Sequence, residues 1–361
     1  MTEKDKSRIG VLIIDDSAFM RTALSRMLAS DPDLIVLGTA ASGADGLQKI
    51  GLLNPDVITL DVQMPGMDGL ETLRCIMAQF PRPVIMVSSV TVKEAETTFA
   101  ALGAGAFDYV PKQLSATSLN ILHIRDDLIA KLKVAAGSRR SREQGIPRRK
   151  PPSAELPPQR SGSTSSSIVA LGISTGGPKA LQEILPTLPA DFSVPILVVQ
   201  HMPQGFTSPF AQRLDALCAA SVHEAAHGDV IRPGIIYIAP GGCHMTVDRS
   251  RNSITTICLS DKPERQLHVP SVDIMMQSVA AAFGPLAMGV IMTGMGADGA
   301  QGMSAIHREG GFTLGQDEES CAVYGMPRVC AEMRILDRIV PLSRITHEIL
   351  QATSYRKTSV S

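Results

Sequence analysis

The stretch Ile168–Pro178, IVALGISTGGP, decides how the second half of the chain is read. Its opening residues, Ile168 to Gly172, are all apolar or small and predict a short buried strand. Gly172-Ile-Ser-Thr-Gly-Gly177 follows as a glycine-rich turn, and Lys179–Leu185 carries a helical pattern. Pro178 suits the first helical position, where its missing N–H has no intrahelical acceptor. Strand, tight turn and helix start together place Ser174 at the carboxyl edge of a sheet. Backbone N–H groups there point toward any oxygen bound beside it. Gly172-x-Ser174-x-Gly176 matches the nucleophile-elbow pattern. A Gly-Ser-Thr-Gly turn cradles a phosphate equally well, so the remainder of the chain has to decide between the two.

Outward from that turn, further strand patterns occur at 195–200, 234–240, 254–260, 287–294 and 312–316. Helical patterns lie between several of them, as at Pro209–Ala219 and Val272–Ala282. The first half alternates in the same way. Strand patterns at 9–14, 34–40, 56–60, 83–89 and 106–110 are separated by helical ones, and IGVLII reads as a strand buried on both faces. The expected fold is α/β: two doubly wound parallel-sheet domains, with ligands at the carboxyl ends of the strands. Residues 135–167 break the pattern. They are rich in Arg, Pro and Ser, carry almost no periodic apolar residues, and read as a solvated, semi-rigid linker. The expected division is 1–134, a linker at 135–166, a second domain at 167–355 and a tail at 356–361.

Composition bounds the partners. At 361 residues the chain holds two domains, each large enough for its own core. Its 34 basic residues nearly cancel its 35 acidic ones, which gives no general reason to expect nucleic acid or a membrane surface. No apolar run approaches a membrane span, and MTEKDKSR lacks the apolar core of a signal peptide. The six cysteines are scattered without a CxxC pair and read as buried thiols in a reducing cytoplasm.

In the first half, Asp15 and Asp16 end the first strand pattern and Asp61 ends the third. In a parallel sheet these ends are neighbours, so three carboxylates meet. Each close pair repels by ~4 kcal/mol at about 4 Å and an effective dielectric near 20. Such a pocket needs a bound cation or a protonated member, and Mg²⁺ suits its hard oxygen donors. Lys112 beyond the fifth strand adds an ammonium, and Ser88 after the fourth a hydroxyl. Together they make a site for a phosphoryl group carried on Asp61. Residues 7–133 resemble the receiver domain of two-component response regulators, through IIDDS, LDVQMPGMDG, VSS and DYVPK. The resemblance implies a flavodoxin-like sheet and phosphorylation of Asp61 by a histidine kinase. It implies Mg²⁺ held by Asp15, Asp16, Asp61 and the backbone carbonyl of Gln63. It further implies that Ser88 and Tyr109 relay the change while Lys112 bonds the phosphoryl group. The usual Lys-Pro is here Lys112-Gln113, with Pro111 on the other side, a departure from the family's pattern at its expected cis bond.

In the second half, Ser174 needs a base and the base an orienter. His201 in VVQHMP and His244 in APGGCHM both follow strand patterns. Asp298 in TGMGADG and Asp317 in GQDEES compete as the acid, and either histidine can equally be structural. Residues 167–352 resemble the catalytic domain of chemotaxis protein-glutamate methylesterases, through GISTGGP, QHMP, IYIAPGGCHM, TGMGADG and QDEESCAVYGMP. That resemblance implies a Rossmann-like domain and a Ser174–His201–Asp298 triad, with oxyanion donors among the backbone N–H groups near Thr175 and Met295. It implies hydrolysis of glutamate methyl esters, and deamidation of glutamines, on chemoreceptor cytoplasmic helices, with no cofactor at the esterase site. The unmodified receiver is then expected to cover the Ser174 crevice until Asp61 is phosphorylated. Two other classes fit the residues: a receiver-controlled hydrolase of another ester or amide, and a non-enzymatic regulator binding a ligand at Gly172–Gly177.

Overall fold

The computed structural model describes residues 8–89, 91–112, 118–143, 165–249, 254–263 and 267–354. The chain forms two compact units, divided near residues 149 and 150.

The first unit alternates strand and helix throughout: β1 (Ile9–Ile14), α1 (Ala18–Ala29), β2 (Leu34–Ala40), α2 (Gly43–Leu53), β3 (Val57–Asp61), α3 (Gly69–Gln79), β4 (Val84–Ser88), α4 (Val92–Gly103), β5 (Asp108–Pro111) and α5 (Ser118–Glu143). The strands pair in parallel in the order β2-β1-β3-β4-β5. Val11, Leu12, Ile13, Val57, Ile58, Leu60, Val84, Ile85 and Met86 are fully buried, which is why these segments read as unbroken apolar runs. Four of this unit's helices begin where polar side chains satisfy free N–H groups: Ser17, Ser42, Asp68 and Thr91 each accept a backbone N–H from the first turn.

The second unit holds β6 (Ile168–Ile173), α6 (Gly177–Ile184), β7 (Ile196–Gln200), α7 (Thr207–Asp215), β8 (Ser221–Glu224), β9 (Ile235–Ile238), β10 (His244–Arg249), β11 (Thr255–Ser260), α8 (Val272–Phe283), β12 (Ala287–Ile291), α9 (Ala300–Arg308), β13 (Phe312–Gln316), α10 (Met326–Glu332), β14 (Arg338–Val340) and α11 (Leu342–Ala352). Seven strands form one parallel sheet in the order β14-β13-β12-β6-β7-β9-β8. The chain starts at β6, winds out through β7 to β8 and β9, then returns to β12 on the other side of β6. The order reverses at β6, and such a reversal leaves a crevice at the strands' carboxyl ends. Turns from three adjacent strands, β12, β6 and β7, open into it.

Three features differ from the sequence reading. The expected linker start at 135 falls inside α5, which continues to Glu143. Ala135 and Ala136 are fully buried with Leu128 and Leu132 in the first unit's core. Alanine and arginine sustain a helix without the large apolar periodicity that marks one. At the other end Ser166, expected in the linker, is buried and its N–H donates to the Ala352 carbonyl. The segment 254–260 belongs to a separate antiparallel hairpin, β10–β11, and not to the main sheet. Met245, Val247 and Ile257 of that hairpin join Met275, Met276 and Val279 of α8 in one apolar core. Residues 144–164, the tail from 355 and the bond from Lys112 to Gln113 lie outside the described residues. No helix among the described residues is long and apolar enough to cross a membrane.

Candidate active site and phosphoacceptor pocket

Ser174 follows β6, His201 follows β7 and Asp298 follows β12, so three positions far apart in sequence meet because their strands are neighbours. The turn after β6 is anchored through the Ser174 N–H, which donates to the Thr293 carbonyl at 2.9 Å. Gly176 takes φ +76°, a left-handed conformation that turns the chain into α6 and that other residues adopt at a cost. His201 Nδ1 lies 3.1 Å from Ser174 Oγ and His201 Nε2 lies 2.7 Å from Asp298 Oδ2. The competitors are elsewhere. Asp317 accepts from Ser320 in its own turn, and His244 is wholly buried.

Asp298 is held by more than the imidazole. Its Oδ1 accepts from Ser271 Oγ at 2.9 Å and from the Asp273 N–H at 3.0 Å. Its Oδ2 accepts from the Val272 N–H at 2.8 Å. Ser271 is the N-cap of α8, so the carboxylate sits on that helix's positive end. Burial pushes the Asp298 carboxyl up, but the imidazole beside it and the Asp273 and Val272 N–H groups outweigh burial and hold it well below the ordinary carboxylate range. An ionised acceptor requires the proton on Nε2, which leaves Nδ1 free to accept the serine proton.

The sequence reading missed Ser271, although a serine just before an apolar helical run is a start signal. It left His244 open. The structure places His244 Nδ1 3.2 Å from the Ser271 N–H, so His244 braces the cap that grips Asp298. It also missed His268, whose ring stacks on that of His201 with centroids 4.0 Å apart and planes 12° from parallel. Nothing in sequence spacing signals that stack.

The two expected oxyanion residues flank the nucleophile. The Thr175 and Met295 N–H groups donate to no acceptor among the described residues. Met295 follows Gly294, where an added Cβ would lie 2.8 Å from Ser174 Cβ, so the backbone leading to Met295 runs against the serine.

In the first unit Asp61 ends β3, Asp15 and Asp16 follow β1, Ser88 ends β4 and Lys112 follows β5. Lys112 Nζ bridges Asp15 Oδ2 at 3.0 Å and Asp61 Oδ2 at 2.6 Å. Arg21 Nη1 donates to the carbonyls of Asp15 and Asp16 and holds the acidic turn. Asp15, Asp16 and Asp61 each offer an oxygen within 4.8 Å of the others. The Gln63 N–H donates to Asp61 Oδ1 at 3.3 Å, which draws residue 63 to the same carboxylate. Three carboxylates against one ammonium leave two negative charges among oxygen donors, a set that fits a hard divalent cation such as Mg²⁺. Burial raises Asp61 to about 6, against the lowering effect of Lys112. Lys112 itself is lowered by burial and raised more by Asp61 and Asp15, so it stays charged. Ser88 Oγ accepts from Thr98 Oγ1 at 2.9 Å. Tyr109 is buried edge-on to Phe99, with ring centroids 6.1 Å apart.

Residues 169–349 match the family described as CheB methylesterase, and residues 11–122 match the response regulator receiver domain. The chain is 45% identical to the protein-glutamate methylesterase/protein-glutamine glutaminase 2 of Nitratidesulfovibrio vulgaris, over 95% of this chain and 98% of that one. A protein-glutamate methylesterase/protein-glutamine glutaminase of Pyrococcus abyssi is 42% identical over 96% of this chain and 94% of its own. The crystal structure of the Thermotoga maritima CheB methylesterase catalytic domain superposes with a TM-score of 0.50 at 37% identity, covering 52% of this chain and 98% of that domain. Two-domain order, strand topology and near full-length likeness agree, and the chain belongs to the family of receiver-linked protein-glutamate methylesterases/protein-glutamine glutaminases.

Proposed function

We propose that the second unit hydrolyses glutamate methyl esters, and deamidates glutamines, on the cytoplasmic helices of chemoreceptors, and that phosphorylation of Asp61 by a histidine kinase sets its rate. The observation that carries this reading is one imidazole bonded at once to Ser174 Oγ and to the carboxylate of Asp298.

In the acylation step Ser174 Oγ attacks the ester carbonyl and His201 Nδ1 takes the hydroxyl proton. The charge now on the imidazole is stabilised by Asp298, itself fixed by three donors on α8. The carbonyl oxygen becomes an oxyanion beside the Thr175 and Met295 N–H groups. As the tetrahedral intermediate collapses, Nδ1 returns the proton to the leaving oxygen and methanol departs. Water repeats the cycle on the acyl-serine and frees the glutamate. A glutamine amide follows the same path and releases ammonia.

In the receiver, Asp61 is the phosphoryl acceptor, Asp15, Asp16, Asp61 and the Gln63 carbonyl would hold Mg²⁺, and Lys112 would pair with the phosphoryl oxygens. The bound cation supplies positive charge to a group that carries two negative ones. Ser88 and Tyr109 pass the change onward, and the unphosphorylated receiver restrains the esterase.

The test is methanol release from a methylated chemoreceptor by the full chain, with and without a kinase and ATP. The expected result is release that rises on phosphorylation and is lost in Ser174→Ala. No release under either condition, or equal release from Ser174→Ala, contradicts the proposal.

A further inference from the structure

Gln200 closes β7 one residue before the general base, and it is 2% exposed. Four apolar residues, Ile196 to Val199, precede it in the strand. A buried amide there calls for an explanation. Its Nε2 donates twice, to the Ser174 carbonyl at 3.1 Å and to the His201 carbonyl at 3.0 Å. Its Oε1 is buried and accepts no hydrogen bond. An unsatisfied buried acceptor is destabilising, and an aliphatic side chain would avoid it. The two donated bonds are what the amide provides.

Those bonds bear on the reaction through peptide geometry. The Ser174–Thr175 peptide is planar and trans, so its C=O and N–H point in opposite directions. The carbonyl is gripped by Gln200 Nε2 and by the Gly177 N–H, the latter at 2.7 Å. Fixing that oxygen fixes the direction of the Thr175 N–H, which donates to no described residue and is the assigned oxyanion donor. The same amide ties the serine's turn to the backbone of His201. A Cβ at Gly177 would lie 1.9 Å from Gln200 Oε1, so the second glycine of the turn makes room for this amide.

We infer that Gln200 is a positioning residue for the esterase reaction: its amide aims the Thr175 N–H at the developing oxyanion and holds the nucleophile in register with its base. The inference rests on the Ser174–His201–Asp298 reading.

The test uses the full, phosphorylated chain and methanol release from a methylated chemoreceptor, with thermal melting alongside. Gln200→Met keeps the volume and removes both donors. It is expected to lower kcat by ~10- to 100-fold with KM within about twofold of the parent, and to leave the melting temperature unchanged or raised. Gln200→Glu adds a signature that a purely structural role would not show. Facing two carbonyls, its carboxyl titrates well above the ordinary range. Protonated, it still donates one O–H; ionised, it donates none. Its kcat therefore falls relative to the parent as pH rises.

Ser174→Ala run in parallel separates the two readings. Full turnover in Ser174→Ala overturns the triad. A dead Ser174→Ala beside a Gln200→Met at parental kcat overturns only the role of Gln200, as does a loss confined to KM. Should Gln200→Met fail to fold, the Gln200→Glu profile decides, and a profile parallel to the parent's overturns the inference.

Discussion

His201 Nε2 lies 2.7 Å from Asp298 Oδ2, and the carboxylate it meets is already bonded to the first turn of α8. The imidazole is thus oriented through a rigid helix terminus, with Nε2 toward the acid and Nδ1 toward the serine. Asp298→Asn keeps an oxygen for Ser271 Oγ and the Asp273 N–H, but puts an NH2 that can only donate where Oδ2 faced His201 Nε2 and the Val272 N–H. The wrong tautomer then competes at His201. Methanol-release kinetics should show kcat down by ~10⁴ in a variant that still folds, by analogy with the acid of other serine triads.

Ser271 caps α8 and donates to Asp298, so one substitution should produce two separable effects. Ser271→Ala should cost about 1 kcal/mol of stability in urea unfolding, through the lost cap. It should also lower kcat by roughly tenfold, because Asp298 loses one of its three anchors on that helix. Loss of stability alone would remove Ser271 from the catalytic support.

Asp298 also has a pH signature. Its folded carboxyl titrates below the unfolded value, so its ionised form stabilises the fold. That contribution is fully present above about pH 4, where the unfolded carboxyl is ionised, and fades as pH falls below it. The stability gap between the parent and Asp298→Asn should hold steady from pH 8 to pH 5 and narrow only in acid. Chemical unfolding across that range measures it.

Asp61 has the opposite sign. Its folded carboxyl, raised to about 6, is harder to ionise than the unfolded one, so ionisation opposes folding. The penalty is absent below about pH 4, grows as pH rises toward 6 and is complete above it, at about 3 kcal/mol. In divalent-free buffer at pH 7, Asp61→Asn should be the more stable protein by up to that amount, and the gain should vanish toward pH 4. Added Mg²⁺ should narrow the gap at pH 7 by stabilising only the chain that keeps the third carboxylate. The same variant should take up no phosphoryl group in intact-mass measurement.

The inner strands of both sheets were legible because a parallel strand buried on two faces, such as Ile9–Ile14 or Ile168–Ile173, is an unbroken apolar run. The candidate site residues were legible for a related reason, and the family resemblance picked His201 and Asp298 over His244 and Asp317. Ser174, His201 and Asp298 lie just beyond such runs, and parallel strands bring their carboxyl ends together. What surrounds them was not. Ser271 at the start of α8 bonds Asp298, and His244 at the start of the β10–β11 hairpin bonds Ser271, contacts that no sequence spacing announces. Gln200 hides inside an apolar strand. The edge strands Ser221–Glu224 and Arg338–Val340 are too short to show a period. The end of α5 is built from Ala, Gly, Ser and Arg, and composition alone reads it as linker.

Trapping the nucleophile is the most direct test of the account. A fluorophosphonate reacted with the phosphorylated full chain, followed by peptide mapping, should place a single adduct on the peptide containing Ser174. Ser174→Ala should take none, and Asp298→Asn should react far more slowly than the parent. An adduct at another residue, or labelling of Ser174→Ala at the parental rate, would contradict the assignment of Ser174 as the attacking group.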